Sequence, residues 1–528
     1  MTFLAPHRAF GRNMPRPGAR LLTRVASALA LTSSLLLLGS ARADVRLPAL
    51  FTDHMVLQQE MQVPVWGWAD DGESVTVEFR GKKVSTVAKA GKWSVKLAKQ
   101  KPGAPGALVV AGKNNRLEIN DVVVGEVWIA SGQSNMEWPL ARSFESTNDI
   151  ASSGNPDLRL FTVPKLKAVV PVADVKGNWQ LAAPDTVPNF SAVGYYFGRA
   201  LQQARKVPVG IIHTSWGGSP AEVWMSEEML RSTEEYQHDI LDTFPAAWRA
   251  YQKTKTQAEK EGKPAPWPIW RPCELYNGMI APLIPYAIRG AIWYQGESNA
   301  GRAWQYRRLY ADMIRNWRQD WKQGDFTFLA VQLAPWDKNR KRSIEEITAA
   351  PGDSDWAELR EAQDLSTKTL PNVGVAVITD VGDKDDIHPT KKAPVGERLA
   401  LAARVIAYKE KITGSGPVYR SAKFSKGKAE LSFDNVGQGL EARGGKLQGF
   451  AIAGADQKFV WADASIEGSK VVVSSPAVAE PVAVRYGWSD NPVVNLWNKE
   501  GLPASPFRTD DFQMVTRPKT DAPAKKKK

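Results

Sequence analysis

The sequence predicts an α/β fold: an open, mostly parallel sheet of five strands, with a β-rich region before it and another after it in the chain. Five nearly continuous apolar runs, typical of strands covered on both faces, occupy residues 122–130, 207–213, 290–294, 326–333 and 373–379. Amphipathic helical patterns lie between these runs. Since sites in such sheets lie beyond the carboxyl ends of the strands, we expect functional residues at that edge.

The composition is that of a globular protein, with 43% hydrophobic and 24% charged residues. A chain of 528 residues exceeds one ordinary core, so two or three domains are expected. The net charge of +13 belongs mainly to the two ends, because residues 1–43 hold six arginines and no acid, and the last four residues are lysines. The basic balance therefore does not indicate nucleic-acid binding.

The first 43 residues resemble an export signal. A basic stretch precedes an apolar run at 25–38, and Ala41-Arg42-Ala43 follows as a small-x-small cleavage site. The run is too short for a membrane span. We expect an exported protein, periplasmic or extracellular, that begins near Asp44. Cys273 is the only cysteine, so the chain cannot form an internal disulfide.

The remaining chain divides by its patterns into four parts. Residues 44–120 contain alternating runs at 75–79 and 93–97 with turn signals between them, which predicts a β-sandwich region. Residues 121–410 form the α/β unit, with a charged helical insertion at about 225–270. Residues 411–515 are β-rich again, and residues 516–528 form a basic, disordered tail. The sequence leaves open whether the two β regions form one domain or two.

Three helices of the α/β unit are predicted from local signals. Two present an apolar face, formed by Val193, Phe197 and Leu201 in one and by Leu309, Met313 and Trp317 in the other. Pro394 is well placed to open a last helix that runs to about Tyr408.

Ser134 is a candidate nucleophile because it follows the first apolar run at a tight polar turn. Gly132 permits backbone angles that a side chain would forbid, and a serine held at a strand end can attack if a base removes its proton. The alternative is that Ser134 caps the segment that comes after it. Ser298 is a rival, since Gly296-Glu297-Ser298-Asn299 echoes Gly132-Gln133-Ser134-Asn135. The sequence has no Gly-x-Ser-x-Gly elbow, which disfavours the common α/β-hydrolase fold.

Two of the five histidines lie at the carboxyl edge of the predicted sheet: His213 ends the second apolar run, and His388 follows the fifth. Asp385 lies three residues before His388, and in a tight turn its carboxylate could orient the imidazole. The alternative for this pair is simple loop capping. Gly217 and Gly218 follow His213 and could point backbone amides at an oxyanion. Gln295 could supply a side-chain amide, or could instead be a buried amide that satisfies loop backbone.

Five motifs occur in order along the chain, and together they are far more specific than any one alone. They are Gly-Gln-Ser-Asn-Met at 132–136, Ser-Trp-Gly-Gly at 215–218, Leu-Tyr-Asn-Gly-Met-Ile-Ala-Pro-Leu at 275–283, Trp-Tyr-Gln-Gly-Glu-Ser at 293–298 and Asp-x-x-His-Pro at 385–389. This set resembles the sialate O-acetylesterase family of the SGNH (GDSL-like) hydrolases. The resemblance covers about residues 125–408 and extends to Phe-Thr-Asp-His-Met-Val-Leu-Gln at 51–58.

The resemblance implies a flavodoxin-like α/β/α domain in which Ser134 is the nucleophile, His388 the base and Asp385 its orienting acid. The implied oxyanion donors are the Ser134 amide, Gly217 or Gly218, and Gln295, which stands where the broader SGNH pattern has asparagine. Residues of the same motifs that are expected to contact the substrate are Gln133, Asn135, Trp216, Trp293 and Glu297.

The implied reaction removes O-acetyl groups from a carbohydrate through an acetyl-enzyme, with no metal or cofactor. Twenty tryptophans favour a glycan, because aromatic faces stack on sugar rings, although most tryptophans are core residues. The family indicates acetylated sialic acid, and a secreted chain with added β regions is equally compatible with hemicellulose such as xyloglucan or xylan. No nucleic-acid partner and no stable membrane association are expected.

Two other classes of protein stay open at this point. One is a secreted carbohydrate-binding protein with an inactive α/β unit, which the intact serine, histidine and aspartate set disfavours. The other is a secreted lipase or thioesterase, which would need an apolar acyl tunnel that no stretch of the sequence predicts.

Overall fold

The computed structural model describes residues 44–338 and 342–518. The predicted export signal and residues 519–528 of the predicted tail lie outside the described residues. Residues 516–518, the first three of the predicted disordered tail, are described, and the Thr516 backbone amide donates a 3.0 Å hydrogen bond to Glu358. None of the described helices is long and apolar enough to cross a membrane.

Alternating side chains build the N-terminal β region, as the sequence predicts. Its strands are β1 (Val56–Gln58), β2 (Val63–Trp68), β3 (Ser74–Phe79), β4 (Lys82–Val87), β5 (Lys92–Leu97) and β6 (Gly106–Ala111). In β3, Val75, Val77 and Phe79 are buried and their neighbours are not. β2 pairs with β5, and β3 pairs with β4 and β6, all antiparallel.

The central sheet is larger than predicted. Its strands are β7 (Arg116–Gly132), β8 (Asn155–Thr162), β9 (Trp179–Ala182), β10 (Val209–Ser215), β11 (Gly290–Tyr294), β12 (Thr327–Val331) and β13 (Val373–Ala376). Their order is β13-β12-β11-β7-β10-β8-β9, with every pair parallel except β8 and β9. All five predicted strands are present, and β8 adds a sixth parallel strand.

The sequence signal for β8 is hidden by its polar residues. The strand begins Asn-Pro-Asp and carries Arg159, which is 2% exposed. The guanidinium of Arg159 donates to the carboxylate of Asp121 at 2.9 Å and to the His54 carbonyl at 3.0 Å. A buried arginine paired across 38 residues leaves no apolar run to detect.

β7 joins the two β systems, because it runs through both. Its first half pairs antiparallel with β6, and its second half lies between β10 and β11 in the central sheet. The domain boundary predicted between residues 120 and 121 thus falls inside one continuous strand. β1 also lies parallel to β7, at Val123 to Gly125.

Helices cover both faces of the central sheet. The α-helices are α1 (Ser134–Glu137), α2 (Ser146–Ala151), α3 (Ala192–Arg205), α4 (Glu227–Arg231), α5 (Glu234–Tyr236), α6 (Phe244–Lys260), α7 (Ala303–Trp321), α8 (Ile344–Thr348), α9 (Asp355–Thr369) and α10 (Ala393–Ile406). Shorter 3-10 turns span Leu140–Arg142, Ala221–Trp224, Ala281–Leu283 and Glu297–Arg302, and π-helical turns span Gln237–Asp242 and Tyr276–Ile280. The predicted apolar faces of α3 and α7 are buried, and Pro394 lies in the first turn of α10.

Alternate side chains of β7 enter two different cores. Val127 and Ile129 pack in the core that includes α7 and α9, whereas Trp128 and Ala130 pack in the core that includes α3 and α10. Because both faces are covered here, β7 is apolar at each of residues 127–130.

The C-terminal region is a sandwich of antiparallel sheets. Its strands are β14 (Val418–Ser425), β15 (Lys428–Asp434), β16 (Leu440–Ala442), β17 (Phe450–Ala453), β18 (Val460–Trp461), β19 (Asp463–Glu467), β20 (Lys470–Ser474), β21 (Ala483–Tyr486), β22 (Leu496–Asn498) and β23 (Phe507–Arg508). The two four-stranded sheets have the orders β14-β15-β20-β19 and β18-β17-β21-β23. Leu431 and Val471 of the first sheet share a core with Ile452 and Tyr486 of the second.

Candidate active site

Ser134 lies immediately beyond the carboxyl end of β7, in the middle of the sheet. Gly132 has φ +135°, and a Cβ there would lie 2.2 Å from the Tyr294 carbonyl oxygen of β11, so only glycine fits. Ser134 is the first residue of α1, and the cap position belongs to Gln133, which makes no side-chain capping bond. The alternative in which Ser134 serves as a helix cap is therefore wrong.

The imidazole of His388 contacts the Ser134 hydroxyl, with 2.8 Å between Nε2 and Oγ. The ring of Trp138 stacks on the imidazole at 5.5 Å and 18°. Burial lowers the pKa of His388 below its ordinary value near 6.5, and the positive charges of Lys392 and Arg142 lower it further, while Asp386 opposes them. A neutral imidazole held at a hydroxyl is suited to act as a general base.

The carboxylate beside His388 is Asp386, and not the predicted Asp385. Asp386 Oδ1 lies 3.4 Å from Nδ1 of His388 and accepts a 2.8 Å hydrogen bond from its backbone amide. Asp385 is turned to solvent and pairs with Lys384. The spacing of three residues is correct for a helical turn, but the backbone of this loop folds around Asp383, whose carboxylate accepts from the amides of both acids.

The other candidate histidine, His213, makes no hydrogen bond to Ser134 within the described residues. His213 is 7% exposed and its Nε2 lies 2.6 Å from the Ser215 hydroxyl, on its own strand. Burial lowers the pKa of His213 to about 4. This residue is a neutral core histidine in the described structure.

The predicted glycine pair lies beside Ser134, and the structure distinguishes its two amides. A Cβ at Gly217 would be 3.2 Å from the Ser134 Cβ. The Gly217 amide donates a 2.8 Å hydrogen bond to Glu137, whose other oxygen accepts from Lys165 at 2.6 Å. Within residues 44–338 and 342–518, the backbone amides of Ser134 and Gly218 have no hydrogen-bond acceptor. Gly218 is exposed, with φ +75°.

The structure corrects the prediction that Gln295 donates to the oxyanion. Its side chain is fully buried, and Nε2 donates to the Asn299 side chain at 2.7 Å and to the Ser219 carbonyl at 3.2 Å. Its Oε1 accepts from the Tyr306 hydroxyl at 3.0 Å. With both ends of the amide occupied, Gln295 holds neighbouring loops together, which is the alternative that the sequence left open.

The rival serine, Ser298, has no hydrogen-bonded base among the described residues. Ser298 is exposed, and in the described part of the chain no hydrogen bond joins its hydroxyl to a histidine. Glu297, its neighbour, is directed to the Asn135 side chain at 2.7 Å. The structure therefore supports Ser134 over Ser298 by its contacts.

The residues expected to contact the substrate separate by exposure. Trp293 is fully buried against Trp224 and Trp317, so the predicted contact with substrate is wrong. Gln133 and Asn135 are also buried, whereas Trp216 and Glu297 are half-buried. Trp216 lies edge-on to Trp270 at 5.6 Å, and the Lys165 ammonium lies 5.3 Å from its ring.

Lys392 is a site residue that sequence reasoning missed. It stands directly before α10 and is 1% exposed, and its ammonium donates to Asn135 at 2.6 Å. The local sequence Lys391-Lys392 is typical of a solvated surface, so no pattern identifies the buried member of the pair. Only contact with the residue after Ser134 reveals it.

The chain is similar to known carbohydrate esterases. A family model described as carbohydrate esterase, sialic acid-specific acetylesterase, matches residues 266–405. The chain is 27% identical to sialate O-acetylesterase of Mus musculus, over 89% of this chain and 95% of the relative, and 28% identical to that of Homo sapiens, over 89% and 93%.

A solved structure is more similar. The chain is 43% identical to a carbohydrate acetylesterase from Xanthomonas citri, over 89% of this chain and all of that one, with a TM-score of 0.77. That structure supports the mixed α/β architecture with its large mixed sheet and flanking β-sheets. The protein therefore belongs to the sialate O-acetylesterase-like family of carbohydrate esterases and is a carboxylic ester hydrolase.

Proposed function

We propose that this protein removes O-acetyl groups from a glycan, with Ser134 as nucleophile and His388 as general base. The observation that carries the proposal is the 2.8 Å contact between Ser134 Oγ and His388 Nε2. Serine alone is a weak nucleophile, and a base at this distance is what activates it.

In the proposed reaction Ser134 Oγ bonds to the acetyl carbonyl carbon while its proton passes to His388. The tetrahedral intermediate collapses, the bond from the carbonyl carbon to the sugar oxygen breaks, and His388 returns the proton to that oxygen. Water then attacks the acetyl-serine, again losing a proton to His388, and acetate leaves as Ser134 is regenerated.

The oxyanion of both intermediates is proposed to accept from the backbone amides of Ser134 and Gly218. These two amides have no acceptor in the described structure, and Ser134 stands at the start of α1, where unpaired amides point outward. The Gly217 amide is engaged by Glu137, so Gly217 shapes the turn instead.

Asp386 is proposed to orient the His388 ring, in place of Asp385. It is the carboxylate at Nδ1, and a negative charge there stabilises the imidazolium that forms in each step. The Asp386 side chain is more than half exposed, so it stabilises the imidazolium less than a buried carboxylate would.

The proposed substrate is an acetylated glycan of several sugars. Trp216 is half-buried and directly precedes Gly217, which lies against Ser134, so its ring is proposed as a stacking surface for a sugar. The chain is more similar to the Xanthomonas carbohydrate acetylesterase than to the mammalian sialate enzymes. An export signal with flanking β regions fits an acetylated hemicellulose such as xyloglucan or xylan. A sialate site needs an arginine for the sugar carboxylate. Arg302 follows the motif at 293–298, and its guanidinium is paired with Glu222 at 2.6 Å.

The test is release of the carboxylic acid, which is acetate from the acetyl esters and the fatty acid from the long-chain ester, across a panel at matched ester concentration. The panel holds acetylated xyloglucan and xylan oligosaccharides, acetylated sialic acid, a small acetyl ester and a long-chain acyl ester, each with wild type and Ser134→Ala. We expect the highest kcat/KM on the oligosaccharides, because remote contacts lower the barrier at the acetyl group. A clear preference for sialic acid would overturn the hemicellulose proposal, and a preference for the long-chain ester would identify a lipase.

Export with cleavage near Ala43 is also part of the proposal. It is supported by the basic, apolar and small-x-small order of residues 1–43. N-terminal sequencing of protein from the native host should start at Asp44 or within a few residues of it. A retained apolar run would mean a membrane anchor.

A further inference from the structure

One amide side chain connects three loops of the site. Asn135, next to Ser134, donates from Nδ2 to Glu297 Oε1 at 2.7 Å and to the Ile387 carbonyl at 3.0 Å. Its Oδ1 accepts from the Lys392 ammonium at 2.6 Å. The serine turn, the loop after β11 and the histidine loop thus meet at this one amide.

The orientation of the Asn135 amide is fixed by its partners. The oxygen must face Lys392, because an ammonium only donates hydrogen bonds. The nitrogen must face the Glu297 carboxylate and the Ile387 carbonyl, because these groups only accept them. Asn135 is 1% exposed, so water does not compete for these bonds. Both amide hydrogens and the oxygen are used, which makes this a fully satisfied buried connection.

The two charged ends of the network are both costly to bury. Burial lowers the pKa of Lys392 to about 7, and burial raises the pKa of Glu297. One Glu297 oxygen, Oε2, is buried and has no hydrogen-bond partner in the described residues. Beside Ser134, a buried lysine and a glutamate on either side of one amide are candidates for a functional role.

The network can act on His388 through its backbone and through the charge of Lys392. The bond to the Ile387 carbonyl fixes the backbone one residue before the imidazole that must stay 2.8 Å from Ser134. The charged groups that face His388 are Asp386 from its own loop, Arg142 from the turn after α1, and Lys392. Of these, Lys392 is the buried cation.

We propose that Lys392, acting through Asn135, is a positioning residue that holds His388 at Ser134 and keeps its imidazole neutral before the reaction. This inference rests on the proposed roles of Ser134 and His388. A nearby cation disfavours a second positive charge, so removal of the Lys392 charge should stabilise the imidazolium of His388 and raise the pKa of His388.

The test is the pH profile of kcat and KM for Lys392→Met on a small acetyl ester, with Lys391→Met as the matched control. Met keeps most of the length and removes the charge, and Lys391 is the exposed neighbour. We expect a fall in kcat on the order of tenfold to a hundredfold with KM little changed, since small displacements of a base cost this much. The acid limb should also move to higher pH. The control should match wild type in both.

A purely structural role would lower the melting temperature of Lys392→Met and leave the acid limb where it is in wild type, and that result would overturn the inference. Asn135→Asp provides a second variant of the same size, which cannot donate to the Ile387 carbonyl. Its kcat should fall and its acid limb should rise as well. A folded Asn135→Asp variant with the kcat and the acid limb of wild type would also overturn the proposal. Activity in Ser134→Ala would instead overturn the proposed function.

Discussion

The Nε2 atom of His388 lies 2.8 Å from the Ser134 hydroxyl, although 254 residues separate the two in the chain. Ser134 follows β7, and His388 lies on the loop after β13, at the far end of the sheet order. Parallel strands end at one edge, and the loops of that edge converge on the serine turn. The contact is therefore a product of the sheet topology, since the local sequence around either residue does not bring them together.

Ser134→Ala should remove nearly all acetate release while leaving the melting temperature within a few degrees of wild type, because the half-buried side chain loses one hydroxyl. The matched control is Ser298→Ala, which removes an exposed hydroxyl and should retain wild-type kcat/KM. Both are measured on a small acetyl ester. The reverse pattern would assign the nucleophile to Ser298.

Asp386→Asn should reduce kcat more than Asp385→Asn, because only Asp386 lies at Nδ1 of His388. Asp386→Asn removes the charge that stabilises the imidazolium. We expect kcat to fall on the order of tenfold to a thousandfold, less than for His388→Ala. Single-turnover and steady-state rates measure this. A larger loss for Asp385→Asn would restore the orienting role to Asp385 and show that the loop rearranges with substrate bound.

The activity should fall on the acid side with a midpoint below pH 6.5, the ordinary histidine value. His388 must be neutral to accept the serine proton, and burial together with Lys392 lowers its pKa, so the active form persists to a lower pH than for an unperturbed histidine. The kcat/KM of wild type against pH measures this limb. A midpoint above the ordinary value contradicts the electrostatic account.

Gln295→Met should destabilise the fold without acting on the chemistry. It leaves the Asn299 and Tyr306 side chains and the Ser219 carbonyl short of a buried partner, which costs about 1–3 kcal/mol. Urea denaturation of both proteins measures the free energy of unfolding. An oxyanion donor would behave differently, with a fall in kcat of about a hundredfold or more at unchanged stability.

His213 should make stability depend on pH without contributing to catalysis. Its folded pKa is about 4, so the folded protein binds no proton there as the pH falls through 6.5, whereas the unfolded chain does. Stability should therefore decline between pH 6.5 and 4, by up to about 3 kcal/mol from this group. His213→Gln should flatten that part of the urea-unfolding profile and keep activity within a few-fold. A severe loss of activity would point to His213 as the base.

Within the fold, the elements that the sequence predicted are those with a local signal. The five apolar strands and the amphipathic faces of α3 and α7 follow from patterns of residues that are close in sequence. β8 was missed because its burial depends on Arg159 finding Asp121. The predicted boundary near residue 120 could not reveal that β7 is one strand, since a change of hydrophobic pattern does not require a break in the chain.

Within the site, the sequence by itself determined the serine turn, the histidine loop and the order of the motifs, because glycine-dependent turns and strand ends are local. Tertiary structure decided which carboxylate faces His388, that Gln295 and Trp293 are buried, and that Lys392 of two adjacent lysines is held by Asn135. Each of these depends on hydrogen-bond partners or covering side chains that are distant in sequence. The burial and charge state of a side chain depend on the residues that pack on it, and the local sequence pattern does not indicate which residues these are.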